Sequence, residues 1–410
     1  MNRFMQQLWR RTPLAWLNLT HSRRKLLTSL AGVGFAVLLM FLFMGFQNAL
    51  YDSQVQVIKK LNADIIITSK LKYTMFVPES FARRRLYQAR AFEGVEAAYP
   101  LYIGDIGEWR NVETRETRAV RVLAFNLKDP VLLVPEIQAQ LDKLRLPNTA
   151  LVDLKSRPEL GPRTAGVVTE LSNRQLRVVG NYSLGTDFAA GNGNLIMSDQ
   201  NFLRYFADRG PEEDPRSLGT VDLGLVKVKP GANVQAIVEA IRQKVALESD
   251  DCAAGEDIGK CGDITVMTLD DFVNRELVYW RENTNIGFVF TLLTTMSFIV
   301  GIILVYQILY TDVADHWAEY ATLKAMGYRN VFLLGVVLQE AIFLSALGFI
   351  PGFLISVLLY DRTREATGLL MQMTPDRALS IYVLTFLMCL VSGAIAVRKV
   401  QATDPAEVFG

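Results

Sequence analysis

The chain has 410 residues, half of them hydrophobic, and a net charge of +1. Apolar residues on that scale, gathered into long blocks, exclude an ordinary soluble enzyme. The near-neutral total hides a lopsided start: Arg3, Arg10, Arg11, Arg23, Arg24 and Lys25 all precede the first acid, Asp52.

Residues 1–25 form a basic, amphipathic lead, with Leu14, Trp16, Leu17 and Leu19 ahead of the cluster at 21–25. Two readings fit it: a helix lying on the inner leaflet, or a plain basic flank. Either keeps the N-terminus cytoplasmic. Residues 26–46 are the first of four stretches able to cross a ~30 Å hydrocarbon layer at ~1.5 Å per residue. Its apolar core is longer than that of a signal peptide, and no A-x-A site follows it. Ala31, Gly32, Gly34 and Ala36 would permit close helix contact.

Residues 47–285 are predicted to lie outside the membrane. Gln47–Asn62 continues the helical spacing of the first span, and Thr268 with Asp271 reads as a capping box before the second. Both spans are therefore expected to extend outward as helical stalks. Between them, residues 63–68, 120–125, 177–182 and 223–228 read as strands. Asn233 caps a helix predicted to reach Ala246, with Val234, Ile237, Val238, Ile241 and Val245 as its buried face. The expectation is a large α+β extracytoplasmic domain with room for two subdomains. Cys252 and Cys261, nine positions apart in a polar loop on the oxidising side, predict a disulfide. The third cysteine, Cys389, is read as a packing residue inside the last span.

The remaining spans are 286–311, 331–360 and 379–397, joined by residues 312–330 and by a short external loop, 361–378. An even number of spans returns the tail, 398–410, to the cytoplasm, where Arg398 and Lys399 flank the last span. The predicted fold class is thus an α-helical membrane protein with four transmembrane helices in a 1+3 arrangement. Glu340 is the single acid within the four stretches, beside Gln339, about ten residues and so ~15 Å into the third. It marks either a proton or substrate path or a hydrogen-bonded helix contact. The second is favoured, because no other intramembrane carboxylate accompanies it.

Catalytic constellations are missing. Residues 255–260 (GEDIGK) fall one residue short of a phosphate-binding loop, and no H-E-x-x-H, C-x-x-C or G-x-S-x-G occurs. Asp250, Asp251, Glu256 and Asp257 read as a solvated acidic loop, not a calcium site. The expectation is no catalytic residue, no metal and no cofactor on this chain.

Between the second and third spans, Trp317, Tyr320, Ala321, Leu323, Lys324 and Met326 fit a short helix closed by Gly327. Its segment Glu319-Tyr320-Ala321-Thr322-Leu323-Lys324-Ala325-Met326-Gly327 resembles the E-x-x-x-L-[RK]-A-[LM]-G loop of MacB/FtsX-like ABC permeases. The tail segment Asp404-Pro405-Ala406-Glu407-Val408 resembles that family's D-P-[AV]-E-[AV] ending. More narrowly, residues 16–19, 156–162 and 184–188 are similar to the DevC-type branch of cyanobacterial exporters. The resemblance implies a permease whose short helix couples to a separate ABC ATPase subunit, which alone binds ATP and Mg. It further implies a homodimer in membrane lipid, a periplasmic membrane-fusion (adaptor) protein and a TolC-like outer-membrane channel. The implied cargo is a glycolipid or another amphiphile, and nothing points to nucleic acid. Glu319 and Lys324 would make polar contacts to the motor, with Leu323 and Met326 filling its groove. An FtsX-like signalling permease, a lipoprotein-releasing permease and a membrane-anchored enzyme stand as alternatives.

Overall fold

A computed structural model describes residues 14–185, 192–206, 217–246, 263–328, 330–367, 369 and 371–401. The chain divides into a helical unit (residues 1–48, 285–366 and 371–410) and an α/β unit (49–284 with 367–370). Along the chain run α1 (Leu14–His21), α2 (Arg23–Gln56), β1 (Ile65–Ser69), β2 (Phe81–Ala82), α3 (Arg84–Arg90), β3 (Val95–Arg110) and β4 (Thr117–Phe125). There follow α4 (Pro135–Gln138), β5 (Thr149–Asp153), β6 (Val168–Leu171), β7 (Arg174–Tyr182), β8 (Asn194–Ser198), α5 (Asp199–Tyr205), β9 (Thr220–Val221) and β10 (Leu223–Val228). The last elements are α6 (Val234–Ile241), β11 (Ile264–Thr268), α7 (Leu269–Glu282), α8 (Asn285–Asp315), α9 (Trp317–Ala325), α10 (Asn330–Thr367) and α11 (Pro375–Gln401).

In the helical unit, α2, α8, α10 and α11 are each long and apolar enough to cross a membrane. Every one outruns the apolar stretch that announced it, because polar residues at both ends keep helical backbone while leaving hydrocarbon. Glycines let two of these helices approach closely. A Cβ on Gly352 would lie 2.7 Å from the Gly34 carbonyl oxygen, and one on Gly348 2.6 Å from Val33. Ala36 meets Gly301 of α8 in the same way. Gly32, Gly34 and Ala36 thus pack against other helices of the same chain, whereas Ala31 is exposed. Further out, the Tyr360 hydroxyl donates to the Phe41 carbonyl.

The α/β unit is built on one sheet of order β11-β1-β10-β3-β4-β8-β5-β7-β6, in which β6 also pairs with β3. That extra pairing, Trp109 opposite Leu171, closes the second part of the sheet into a six-stranded barrel. The two expected subdomains therefore share β3, whose first half pairs with β10 and whose second half pairs with β4. Alternate residues of the strands feed two cores. Ile65, Ile67, Val120, Val122, Val152, Leu195 and Met197 join one, together with Trp109 and the α6 face Ile237, Val238 and Ile241. Ile66, Leu123, Phe125, Leu151 and Ile196 join the other, under Ile137, Leu144 and Phe272. With both faces covered, β1, β5 and β8 bury every residue.

Both expected caps are present. Asn233 accepts from the Ala236 amide at 3.1 Å, and Thr268 from the Asp271 amide at 3.1 Å. The helix begun at Asn233 ends its α-helical part at Ile241 and continues as a π-helical turn, 242–246. The α7 helix stops at Glu282, and α8 begins at Asn285. Within the α/β unit, loop 70–77 is tied to α7. The Met75 amide donates to the fully buried Glu276 carboxylate, and Phe76 meets Trp280 edge-on at 6.0 Å.

Candidate functional site

The short helix α9 follows α8 after His316 and closes with a glycine-based C-cap. Gly327 has φ +91°, and the Tyr328 amide donates to the Leu323 carbonyl at 3.2 Å. That is the wide ring of a Schellman motif, in which only the glycine adopts left-handed backbone without cost.

The helix has two faces. Its inner face carries Tyr320, 3 % exposed, in a cluster with Ala15, Val313, Val336, Val337 and Val397. Trp317 and Leu323 are half-buried against the same cluster. The outer face carries Glu319, Thr322 and Met326, three and four residues apart and all exposed. Met326 is 63 % exposed. Past the cap, Tyr328 packs on Phe332 at 4.7 Å, and Val331 and Phe332 stay exposed. Of the residues expected to meet a motor, Glu319 and Met326 therefore face outward, while Leu323 leans on the helical unit. Lys324 and Ala325 lie on α9 by backbone, but their side chains fall outside the described residues. So do Asp404, Pro405 and Glu407, the pair Cys252 and Cys261, the GEDIGK loop and the acids beside it. Cys389 is a buried free cysteine.

Beneath α9 lies a polar group that sequence reasoning only half anticipated. The Asn18 amide nitrogen donates to Tyr320 Oη at 3.2 Å and to Glu340 Oε1 at 3.1 Å. Glu340 is fully buried and Asn18 is 9 % exposed. Burial pushes the Tyr320 phenol well above its ordinary range, so it stays neutral and its oxygen is free to accept. Asp312 Oδ2 and Glu340 Oε2 are both buried oxygens with no hydrogen-bond partner among the described residues. Asp312 went unseen because it stands one residue past the apolar stretch, whereas α8 runs to Asp315. Trp16 of α1 meets Phe343 of α10 edge-on at 5.5 Å, which seats α1 beside this group. At the rim Lys25 pairs with Asp315 at 2.5 Å. Gln339 is half-buried next to Glu340.

Residues 291–405 match the family described as FtsX-like permease C-terminal. Among solved structures, the periplasmic region of MacB from Actinobacillus actinomycetemcomitans aligns over 53 % of this chain and 94 % of its own. Its identity is 11 % and its TM-score 0.34. The extracellular domain of the noncanonic ABC-type transporter YknZ from Gram-positive bacteria aligns over 50 % of this chain and 100 % of its own. There the identity is 10 % and the TM-score 0.32. No curated protein matches the chain. The family match takes in almost all of α8 and the whole of α9, α10 and α11. It is through these residues that the chain is similar to the FtsX-like permeases.

Proposed function

We propose that this chain is the permease subunit of an ABC exporter, in which α9 receives the motion of a separate ATPase subunit. The observation that carries the reading is the two-faced α9 within the family match. Its inner face is packed on the bundle, while Glu319, Thr322 and Met326 stand free beside the exposed Tyr328, Val331 and Phe332. A short helix anchored on one side and bare on the other is a knob suited to a groove in another protein. ATP and Mg would be held by that partner. The α/β unit would lie on the periplasmic side and engage an adaptor and, through it, an outer-membrane channel. The DevC-like segments support an amphiphilic, glycolipid-like cargo and a dimeric permease. The mechanism is mechanical: closure of the motors displaces α9, and the outboard domain moves substrate that never enters a transmembrane pore.

The test is co-purification of the detergent-solubilised chain with its ABC ATPase. Met326→Asp places a charge on the outer face and should abolish binding while leaving the permease folded. Leu323→Asp should disturb the inner cluster as well, so it is the weaker probe. Equal binding by wild type and Met326→Asp would refute α9 as the docking element.

A further inference from the structure

Loop 70–77 leaves β1 with its polarity reversed. Lys72 is fully buried, while its neighbours Leu71 and Tyr73 are 68 % and 55 % exposed. A loop in water ordinarily does the opposite, because an ammonium group loses hydration on burial and an exposed leucine forfeits its burial energy. Here the inversion is built in. The Lys72 amide donates to the Ser69 carbonyl at 3.1 Å, and the Lys72 ammonium group donates to the Val77 carbonyl. The Met75 amide is held by Glu276, and Phe76 packs on Trp280 and under the Arg121 guanidinium, 4.6 Å from its ring centre. With its interior fixed on α7, the loop holds Leu71 and Tyr73 outward.

Aromatic rings continue the patch. Tyr73 meets Tyr279 at 5.3 Å, and Tyr279 meets Trp280 edge-on at 5.7 Å. One residue on, the exposed Arg281 places its guanidinium 6.0 Å from the centre of the Tyr51 ring. Along the chain these residues adjoin the apolar helices. Tyr51 belongs to α2, five residues past the apolar stretch that ends at Phe46, and so ~8 Å further along the helix. Trp280 stands five residues ahead of Asn285, where α8 begins. A headgroup layer is ~5–8 Å deep on each side of the hydrocarbon. Tyr, Trp and Arg suit that layer because each has an apolar body and a polar tip. Such chemistry, in residues tied by sequence to two helices able to span, marks lipid as what covers Leu71 and Tyr73.

We propose that loop 70–77 is a membrane foot, whose Leu71 and Tyr73 enter the headgroup–acyl boundary of the leaflet on the side of the α/β unit. Leu71 supplies the apolar contact, and Tyr73 a ring whose hydroxyl suits the polar edge. Arg281 is fitted to a lipid phosphate. Lys72 and Glu276 are buried and set the shape of the loop without touching lipid. The foot requires that α2 and α8 cross a bilayer, but it is independent of any coupling to an ATPase.

The test uses the full-length chain in phosphatidylcholine vesicles, with Cys252, Cys261 and Cys389 replaced by serine. A bimane fluorophore is attached at Leu71→Cys, Tyr73→Cys, Leu133→Cys or Phe288→Cys. Quenching is then read with phosphatidylcholine carrying a nitroxide high on its acyl chain, and separately with iodide in the water. Leu133 is the aqueous control: it is 52 % exposed, and its amide donates at 2.7 Å to the carbonyl of Lys60, beyond the end of α2. Phe288, 70 % exposed on α8, is the lipid control. Labels at 71 and 73 should be quenched by the nitroxide lipid about twofold or more beyond the label at 133, and less than it by iodide. Lipid quenching at 71 and 73 no stronger than at 133 overturns the foot and leaves a protein partner to cover the patch. If the label at 288 also escapes the nitroxide, the spanning reading of α8 fails, and the foot fails with it.

Discussion

Glu276 is a fully buried carboxyl group that accepts from the Met75 amide, and burial pushes it up to about 7. The Met75 amide, Arg275, Trp280 and Arg121 pull the other way without cancelling that effect. The native state therefore keeps a proton that the unfolded chain releases near 4.5. Stability from the neutral acid is complete below pH 4.5 and is lost as pH rises through about 7. The loss amounts to roughly 3 kcal/mol by linkage, at about 1.4 kcal/mol per unit. Thermal unfolding of the full chain should thus show a falling midpoint from about pH 5 to about pH 8, largely flattened in Glu276→Gln. A residual slope belongs to Asp129, Asp153 and Asp199, whose carboxyls burial also pushes up. An unchanged slope in the variant would contradict this assignment. Residues of this kind show how far sequence carries at the finest scale. Glu340 announced itself, since an acid in an apolar run is conspicuous. Asn18 did not, because it sits at an ordinary polar position and acquires meaning only when folding brings it to Glu340, 322 residues further along the chain.

At the scale of elements, periodicity worked where a segment's environment was uniform. The four apolar helices, the strand Leu223–Val228 and the caps at Asn233 and Thr268 were all legible. The long strand β3 was not, since Pro100, Gly104 and Gly107 interrupt it and read as loop signals. Gly104 is required there because a Cβ would meet the Phe206 ring at 2.5 Å. Contacts between helices were legible only in kind: the small residues of the first span signalled close approach, but not to which helix. Gly352→Leu should force α10 off α2, since its Cβ already falls 2.7 Å from a backbone oxygen, and cost about 1–3 kcal/mol. Gly335→Ala, where nothing lies within 4 Å of the new Cβ, is the matched control and should cost nothing measurable. Thermal stability of the detergent-solubilised variants decides this, and equal melting of the two would refute the tight α2–α10 contact.

At the scale of the whole molecule, the family match covers residues 291–405, while the α/β unit rests on its own architecture. The orientation expected from the basic N-terminus can be checked directly. In a background lacking Cys252, Cys261 and Cys389, Leu146→Cys should react with an impermeant thiol reagent in cells whose outer membrane is opened. Met326→Cys should react only after the inner membrane is broken. Reversed labelling would invert the topology and exclude α9 from contact with a cytoplasmic ATPase. The sheet order has a further consequence, for how the protein is made. Strand β1, with three consecutive isoleucines, pairs with β10 on one side and β11 on the other. It emerges early and has neither neighbour until the chain beyond residue 223 has been made, and is not enclosed until residues 264–268 follow. For the whole of that interval a sticky, unpaired strand is exposed. Completion of the α/β unit is therefore its most aggregation-prone stage, and slow production of the chain up to β11 or want of a chaperone would harm the protein before any function began.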